Sequence, residues 1–376
     1  MRIKLQPQLI VFTDGNYTKA EILCRGINVK ESNIMDLIKA QNPFNELRSG
    51  LGYGWYIMLD GNRFVNASVY FGYTKNSPFT VEKKDGQLTL VHEGKAISRI
   101  SPLPPPEWYF EKTSSGQPMG RIFQQHGKNA LTTAVYAGCQ FFTKNNECKF
   151  CKMGDGESLG ALKIKSVDDL VEAAVRAIRY NPNYEVDING GTTYTDGTGF
   201  EIFIPRVAAI RKALPTVRIA VEAAPPLDNS YIRELKEAGA NVLMMNLELF
   251  DEEKRREYCP GKSDLIPRAR FIDALDYAVN VFGKGNVSSC LIAGLEDTIS
   301  TIEGARFLIG RGIVPSILPY RPITTKIDSG IRLDVTQYLI INREVGLLLR
   351  SSDLGADKQA GCVGCTGCSL EVDLSR

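Results

Sequence analysis

From Ala130 onward the sequence alternates between strand-type and helix-type apolar patterns, and this alternation constrains the fold more than any other feature of the chain. Strands are predicted at LTTAVYA, YEVDING, TVRIAVEA, ANVLMMNLE, NVSSCLIAGL and VPSILPYRPI. Helices are predicted after them at SVDDLVEAAVRAIRY, GFEIFIPRVAAIRKAL, DNSYIRELKEAG, PRARFIDALDYAVNVFG, TISTIEGARFLIGRG and VTQYLIINREVGLLLRSS. Ser166 stands where the first helix needs an N-cap, and Gly239 where the third needs a stop. Successive βα units require a parallel sheet with right-handed crossovers. The run shows no sign of two more units, so the expected fold is α/β, a partial (β/α)6 barrel rather than a closed eight-stranded one. Chemistry in such barrels gathers at the C-terminal ends of the strands.

The first hundred residues have another pattern. Short strands are predicted at LQPQLIVFTD, GYGWYIMLD, RFVNASVYFGY and through FTVEKKDGQLTLVHEG, with turn signals at Asp60-Gly61-Asn62 and Asp85-Gly86. The stiff segment PLPPPEW marks a boundary, with Trp108 and Phe110 docking on the larger domain beyond it. The expected organisation is a β-rich N-terminal domain over 1–105, the barrel over 106–350 and a tail over 351–376. At 376 residues the chain can bury a large core. Its 45 basic and 43 acidic residues leave a net charge of +2, which argues against a nucleic-acid partner. No apolar run approaches the roughly 18 residues of a membrane span and no leader pattern opens the chain, so a cytoplasmic protein without membrane contact is expected.

Nine cysteines stand in the sequence, six of them in two clusters, and in a reducing cytosol such clusters point to metal more than to disulfides. The first is Cys139, Cys148 and Cys151 in AGCQFFTKNNECKFCKMG, just past the first barrel strand. Three thiolates hold three irons of a [4Fe–4S] cluster and leave the fourth iron open for a substrate or cofactor. Two plainer alternatives stay open on spacing alone: a Cys3His zinc site with His126, which lies thirteen residues from Cys139, and buried inert thiols. The second cluster is Cys362, Cys365 and Cys368 in GCVGCTGCS, where the glycines let a loop wrap a compact metal cluster. A redox-sensitive tail is the alternative. A fourth ligand would come from Cys24, Cys259, Cys290 or Ser369. Cys290 falls near the start of its strand, which puts it at the end of the barrel opposite the active site.

Polar residues also mark the other strand ends. Asn189-Gly190-Gly191-Thr192-Thr193 closes the second strand, where two glycines allow close backbone approach to a ligand. Glu222 ends the third strand, and Asn246 and Glu248 end the fourth; carboxylates there are costly unless paired, and a salt bridge to the next helix is the alternative to ligand binding. Gly294 lies in LIAGLE at the end of the fifth strand. Arg255, Arg256 and Lys262 of the CPGK segment are candidate partners for an anionic ligand group, though a solvated helix face explains the arginines equally well.

Taken together, the cysteine loop, GGTT, CPGK, LIAGLED and AGCVGCTGCS resemble the radical S-adenosylmethionine (SAM) superfamily. The eight-residue gap between Cys139 and Cys148 departs from the usual three and points to an atypical branch. The chain is similar to a subfamily encoded in nitrilase-linked gene clusters, through NASVYFGYTKNSPF and QQHGKNALTTAVYAGC as well, from about residue 60 onward. It is also similar to two-component archaeal lipoyl synthases, whose radical SAM chains hold two [4Fe–4S] clusters. The resemblance implies a SAM-binding [4Fe–4S] cluster on Cys139, Cys148 and Cys151, and an auxiliary [4Fe–4S] cluster on Cys362, Cys365 and Cys368. SAM contacts fall to Gly190, Gly191 and Thr192, the last standing in place of the usual Glu of a GGE-type motif. Asn246 and Glu248 would hold the ribose, with Glu222 as a further candidate and Gly294 near adenine. The implied chemistry is a 5′-deoxyadenosyl radical used for sulfur insertion at an unactivated C–H, lipoyl synthase-type, on an octanoyl-lysyl chain with the auxiliary cluster as sulfur donor. Its implied partners are an octanoylated carrier protein or peptide, or a small-molecule substrate, together with a second radical SAM protein and a reductant such as ferredoxin or flavodoxin. Rearrangement or oxidation of a small metabolite, with the auxiliary cluster as an electron relay, is the second alternative. An iron–sulfur scaffold or redox-sensing binding module is the third.

Overall fold

The computed structural model describes residues 14–44, 54–60, 62–127, 129–153, 161–327, 330–355 and 362–375. Two sheets organise them. The first holds β1 (Trp55–Leu59), β2 (Arg63–Ala67), β3 (Phe79–Lys84), β4 (Gln87–His92) and β5 (Lys95–Pro102), all antiparallel in the order β2-β1-β5-β4-β3. The β3–β4 hairpin closes on Asp85 (φ 51°) and Gly86 (φ 79°), the left-handed pair that a tight two-residue turn requires. Of the expected strands, LQPQLIVFTD lies almost wholly outside the described residues.

The segment after it is helical, against the β-rich expectation for this region: Asp14–Arg25 and Ser32–Ala40 are helices, the second with Ile34 and Ile38 buried one turn apart. The first buries Ala20, Ile22 and Leu23 in the core shared with the sheet, so tertiary packing rather than propensity holds it. After the proline segment, Trp108 is fully buried as expected. Phe110 is 60% exposed and makes only a tilted ring contact with Phe44, so it does not dock.

The second sheet holds β6 (Gln124–His126), β7 (Ala130–Tyr136), β8 (Glu185–Gly190), β9 (Ile219–Glu222), β10 (Val242–Met244), β11 (Val287–Ala293) and β12 (Val314–Pro319). Strands β7 to β12 are parallel and lie in sequence order, while β6 adds an antiparallel edge beside β7. This curled, open sheet is the partial barrel. Helices Val167–Tyr180, Phe200–Ala213, Ser230–Glu237, Arg268–Phe282, Thr298–Gly310 and Val335–Arg350 cover its outer face. Side-chain caps start several of them: Ser166 accepts the Asp169 amide, Asp297 those of Ile299 and Ser300, and Asp334 that of Gln337. Two short helices, Glu252–Tyr258 and Pro260–Leu265, interrupt the fourth unit and carry the CPGK segment.

The strands alternate in character across the sheet. Val186 and Ile188 pack in the main core, whereas Asp187 and Asn189 share the opposite face of β8, and Asn189 looks into the barrel. The tail ties both sheets together. The Lys19 ammonium, buried at the N-terminal helix, donates to Thr366 O at 2.6 Å and pairs with Asp373 at 2.5 Å. Asn66 of β2 donates its amide to Gly367 O at 2.8 Å, and Arg321 donates to Asn66 O at 2.8 Å. Among the described residues no helix is long and apolar enough to cross a membrane.

Candidate functional site

A cavity with about 1080 Å³ of empty space between its walls, partly open to solvent, lies at the C-terminal ends of the barrel strands. Cys139, Cys148 and Cys151 line it, as do Gly190, Gly191, Thr192, Glu222, Asn246, Glu248 and Lys262. Phe141, Phe142, Phe150, Met153 and Leu318 give it apolar walls. The fold thus brings the first cysteine set and most of the strand-end polar residues to one place.

The cysteine loop is held by backbone contacts on both sides. Gly191 lies so close to it that a Cβ there would meet Gly138 O at 1.4 Å and Cys139 Cβ at 2.7 Å. Gln140 donates its amide to Thr192 O at 2.9 Å. From the other side Lys149 donates to Tyr258 O and Gly261 to Asn146 O, each at 2.8 Å, so the CPGK segment clamps the loop.

The sulfurs sit among donors. Burial pushes the Cys139 thiol up, against backbone amides of Phe141 and Thr192 that favour its thiolate. Burial and the Cys148 charge push Cys151 well up, while the Met153 amide donates to its sulfur at 3.3 Å. Cys148 is lowered, first by a hydrogen bond from the Cys259 thiol and then, against burial, by the Lys262 charge. Such thiols ionise when a metal supplies the missing positive charge. Among the described residues no three His, Cys, Asp or Glu side chains converge tightly enough for a single metal ion. Three sulfurs lining one cavity, with amide donors and an apolar wall, fit a thiolate-bound iron–sulfur cluster.

The carboxylates divide in role. Glu248 takes φ 71°, an uncommon left-handed conformation for a side chain other than glycine, and forms an ion pair with Lys262 at 2.8 Å. Burial lowers the Lys262 ammonium, but the Glu248 carboxylate and the neighbouring thiols more than reverse this and hold it charged. Burial and the Glu248 charge push Glu222 up to about 7. Asn246 donates to Glu222 at 2.6 Å and accepts the Cys290 amide at 2.9 Å, so it locks β9 to β11.

Other candidates fall elsewhere. Gly294, at φ 101°, packs against Leu333 and does not line the cavity. Arg255 is buried over the Phe271 ring with Ser263 and Ile266 O as partners, and Arg256 pairs with Glu252 on the surface. Cys290 corrects the expectation that put it at the far end. It stands mid-strand in β11 and lines the cavity, which reaches down to the level of Asn246 and Cys290.

The second cysteine set lies nearby. Cys368 lines the same cavity, and its sulfur accepts a hydrogen bond from Asn66 Nδ2 at 3.3 Å. Cys365 is pushed up to about 12 by burial and the Cys368 charge. Its sulfur fills space that a Cβ at Gly127 (2.6 Å) or Gly367 (3.2 Å) would take. The Cys362 side chain lies outside the described residues, although its backbone joins the helical turn Cys362–Cys365. His126 also lines the cavity. Sequence spacing offers it only as a zinc partner, because nothing local shows that a C-terminal tail folds back beside it.

Comparisons with known proteins agree with this geometry. The radical SAM superfamily model matches residues 135–309, the stretch that runs from the cysteine loop through the fifth unit. A bacteriochlorophyllide c C-7(1)-hydroxylase of Chlorobaculum limnaeum is 21% identical over 234 residues. That match covers 57% of this chain and 58% of the hydroxylase, so this chain spans little more than half of that relative. Among solved structures, the [FeFe]-hydrogenase maturase HydG superposes at a TM-score of 0.46, with 16% identity over 62% of this chain and 52% of that one. Coproporphyrinogen III oxidase (HemN) from Escherichia coli superposes at 0.36, with 19% identity over 49% of this chain and 46% of that one. With three cysteines on the first parallel strand's loop and the matched stretch built around them, residues 135–309 of this chain are similar to the radical SAM superfamily.

Proposed function

We propose that this radical SAM enzyme inserts sulfur at an unactivated C–H bond, with lipoyl synthase-type chemistry on an octanoyl-lysyl chain. The observation that carries this reading is the position of Cys368, which faces the same cavity as Cys139, Cys148 and Cys151. When bound, SAM and the cluster on the first set supply the 5′-deoxyadenosyl radical that takes a hydrogen atom, and a cluster on the second set supplies sulfide.

This chain's own residues would do the positioning. Gly190, Gly191 and Thr192 leave room for SAM along the backbone, and the Glu248–Lys262 pair presents fixed charges of both signs to it. Phe141, Phe142, Phe150 and Leu318 offer an apolar bed for an alkyl chain and exclude water from the radical's path. Reducing equivalents would come from a ferredoxin or flavodoxin, and a second radical SAM protein would share the two insertions.

The test is the anaerobically reconstituted enzyme given SAM, reductant and octanoylated peptide, with and without that partner. The expected product gains sulfur; 5′-deoxyadenosine without any thiolated peptide, even with the partner present, overturns the reading. A second reading, C–H oxidation without sulfur, is favoured by the hydroxylase named among the relatives, and it predicts a product that gains oxygen.

Gly191→Ala is expected to reduce 5′-deoxyadenosine formation to background, because the new Cβ cannot coexist with Gly138 O at 1.4 Å. Gly190→Ala, whose Cβ meets nothing nearer than 3.2 Å, should retain measurable turnover in the same chromatographic assay.

A further inference from the structure

We propose that His126 is the fourth protein ligand of the metal centre held by the second cysteine set; the inference rests on that centre being present, as proposed above. A Cys-x2-Cys-x2-Cys run supplies three ligands, whereas a closed four-iron cluster takes four. The donors that the sequence offers for the fourth place are engaged or elsewhere. The Ser369 hydroxyl is buried and donates to Glu371 at 2.9 Å. Cys259 donates its thiol to Cys148 of the first set. Cys24 lines a different cavity, with Tyr73, Tyr320 and Arg332. Cys290 packs in one apolar cluster with Cys148, Phe150 and Cys259, on the side of the first cysteine set.

His126 is at the junction itself. It ends β6, is 4% exposed, and lines the cavity alongside Cys368. The next residue, Gly127, turns at φ 76° with the Cys365 sulfur against its Cα, so the chain beside the imidazole already touches this cysteine set. Phe64 of β2 packs on Gly127 and Gly367, Tyr56 of β1 stacks on Phe64 at 5.5 Å, and the His126 ring tilts against Tyr56 at 5.1 Å. Strands of the N-terminal sheet therefore form the outer wall of the centre, and Asn66 supplies a donor to its Cys368 sulfur. The N-terminal sheet thereby acquires a role, since it fixes the imidazole and seals the second centre.

A neutral imidazole in place of a thiolate leaves the centre less negative and raises its reduction potential, as histidine ligation does in other iron–sulfur proteins. The test is an iron and sulfide count with EPR and redox titration on the full-length, anaerobically reconstituted protein. Wild type is expected to hold about eight irons, and His126→Ala about seven with a three-iron EPR signal. His126→Cys should keep all irons and titrate at a lower potential; should the alanine variant fail to fold, this variant decides alone. Unchanged iron, EPR and potential in the His126 variants, in a series where Cys368→Ala loses about four irons, overturns the histidine ligand while leaving the second centre standing. About four irons in wild type, unaltered by Cys368→Ala, overturns both.

Discussion

Cys368→Ala is expected to abolish the thiolated product while 5′-deoxyadenosine is still formed from SAM. Cys368 shares one cavity with the first cysteine set, but the two sets are held by different parts of the chain. The first is clamped by the Gly191 backbone and by Tyr258 and Gly261, and none of these contacts involves the tail. The second depends on Asn66, Gly127 and Lys19. Cys139→Ala removes a sulfur that the backbone amides of Phe141 and Thr192 support, so both SAM cleavage and product should vanish, with iron falling by about half. Liquid chromatography of 5′-deoxyadenosine beside peptide mass spectrometry separates the variants. Full retention of thiolation in Cys368→Ala would exclude the second set as sulfur donor.

Lys262→Met should destabilise the fold by about 3–5 kcal/mol, the usual cost of leaving one charge of a buried pair without its partner. Glu248 and Lys262 each expose 11% of their side chains and sit 2.8 Å apart. The isolated Glu248 would keep its left-handed backbone, with its amide and carbonyl still bonded to Cys290 and Ile292, so it cannot swing out to water without breaking the bridge between β10's continuation and β11. Glu248→Gln with Lys262→Met removes both charges and should recover much of the loss. Anaerobic denaturant titrations of the two single variants and the double variant read the coupling directly. Costs that simply add would show that the pair has no mutual stabilisation.

Much of the barrel is written in local pattern. Apolar runs at YEVDING and NVSSCLIAGL, and caps such as Ser166 and Asp297, act within a few residues and so can be read from the sequence. The same holds for the first cysteine loop, whose three sulfurs lie within thirteen positions of one another. Features set by long-range packing escape such reading. The helix Asp14–Arg25 exists because its buried face meets the sheet and the tail, and Lys19 finds its partners 347 and 354 residues away. Cys290 stands apart from its expected place because strand position alone does not show how deep a cavity reaches when Asn246 ties two strands across its floor. His126 lacks any local signal for the same reason: Cys368, which lines the cavity with it, is brought there by the tail.

The Lys19 ammonium, joining the first described helix to Thr366 and Asp373, also fixes an order of assembly. The wall made by β1, β2 and β6 and the first cysteine loop are synthesised long before residues 362–375. The second cysteine set must therefore arrive as a closing strap, captured by a cation and a sheet edge already in place.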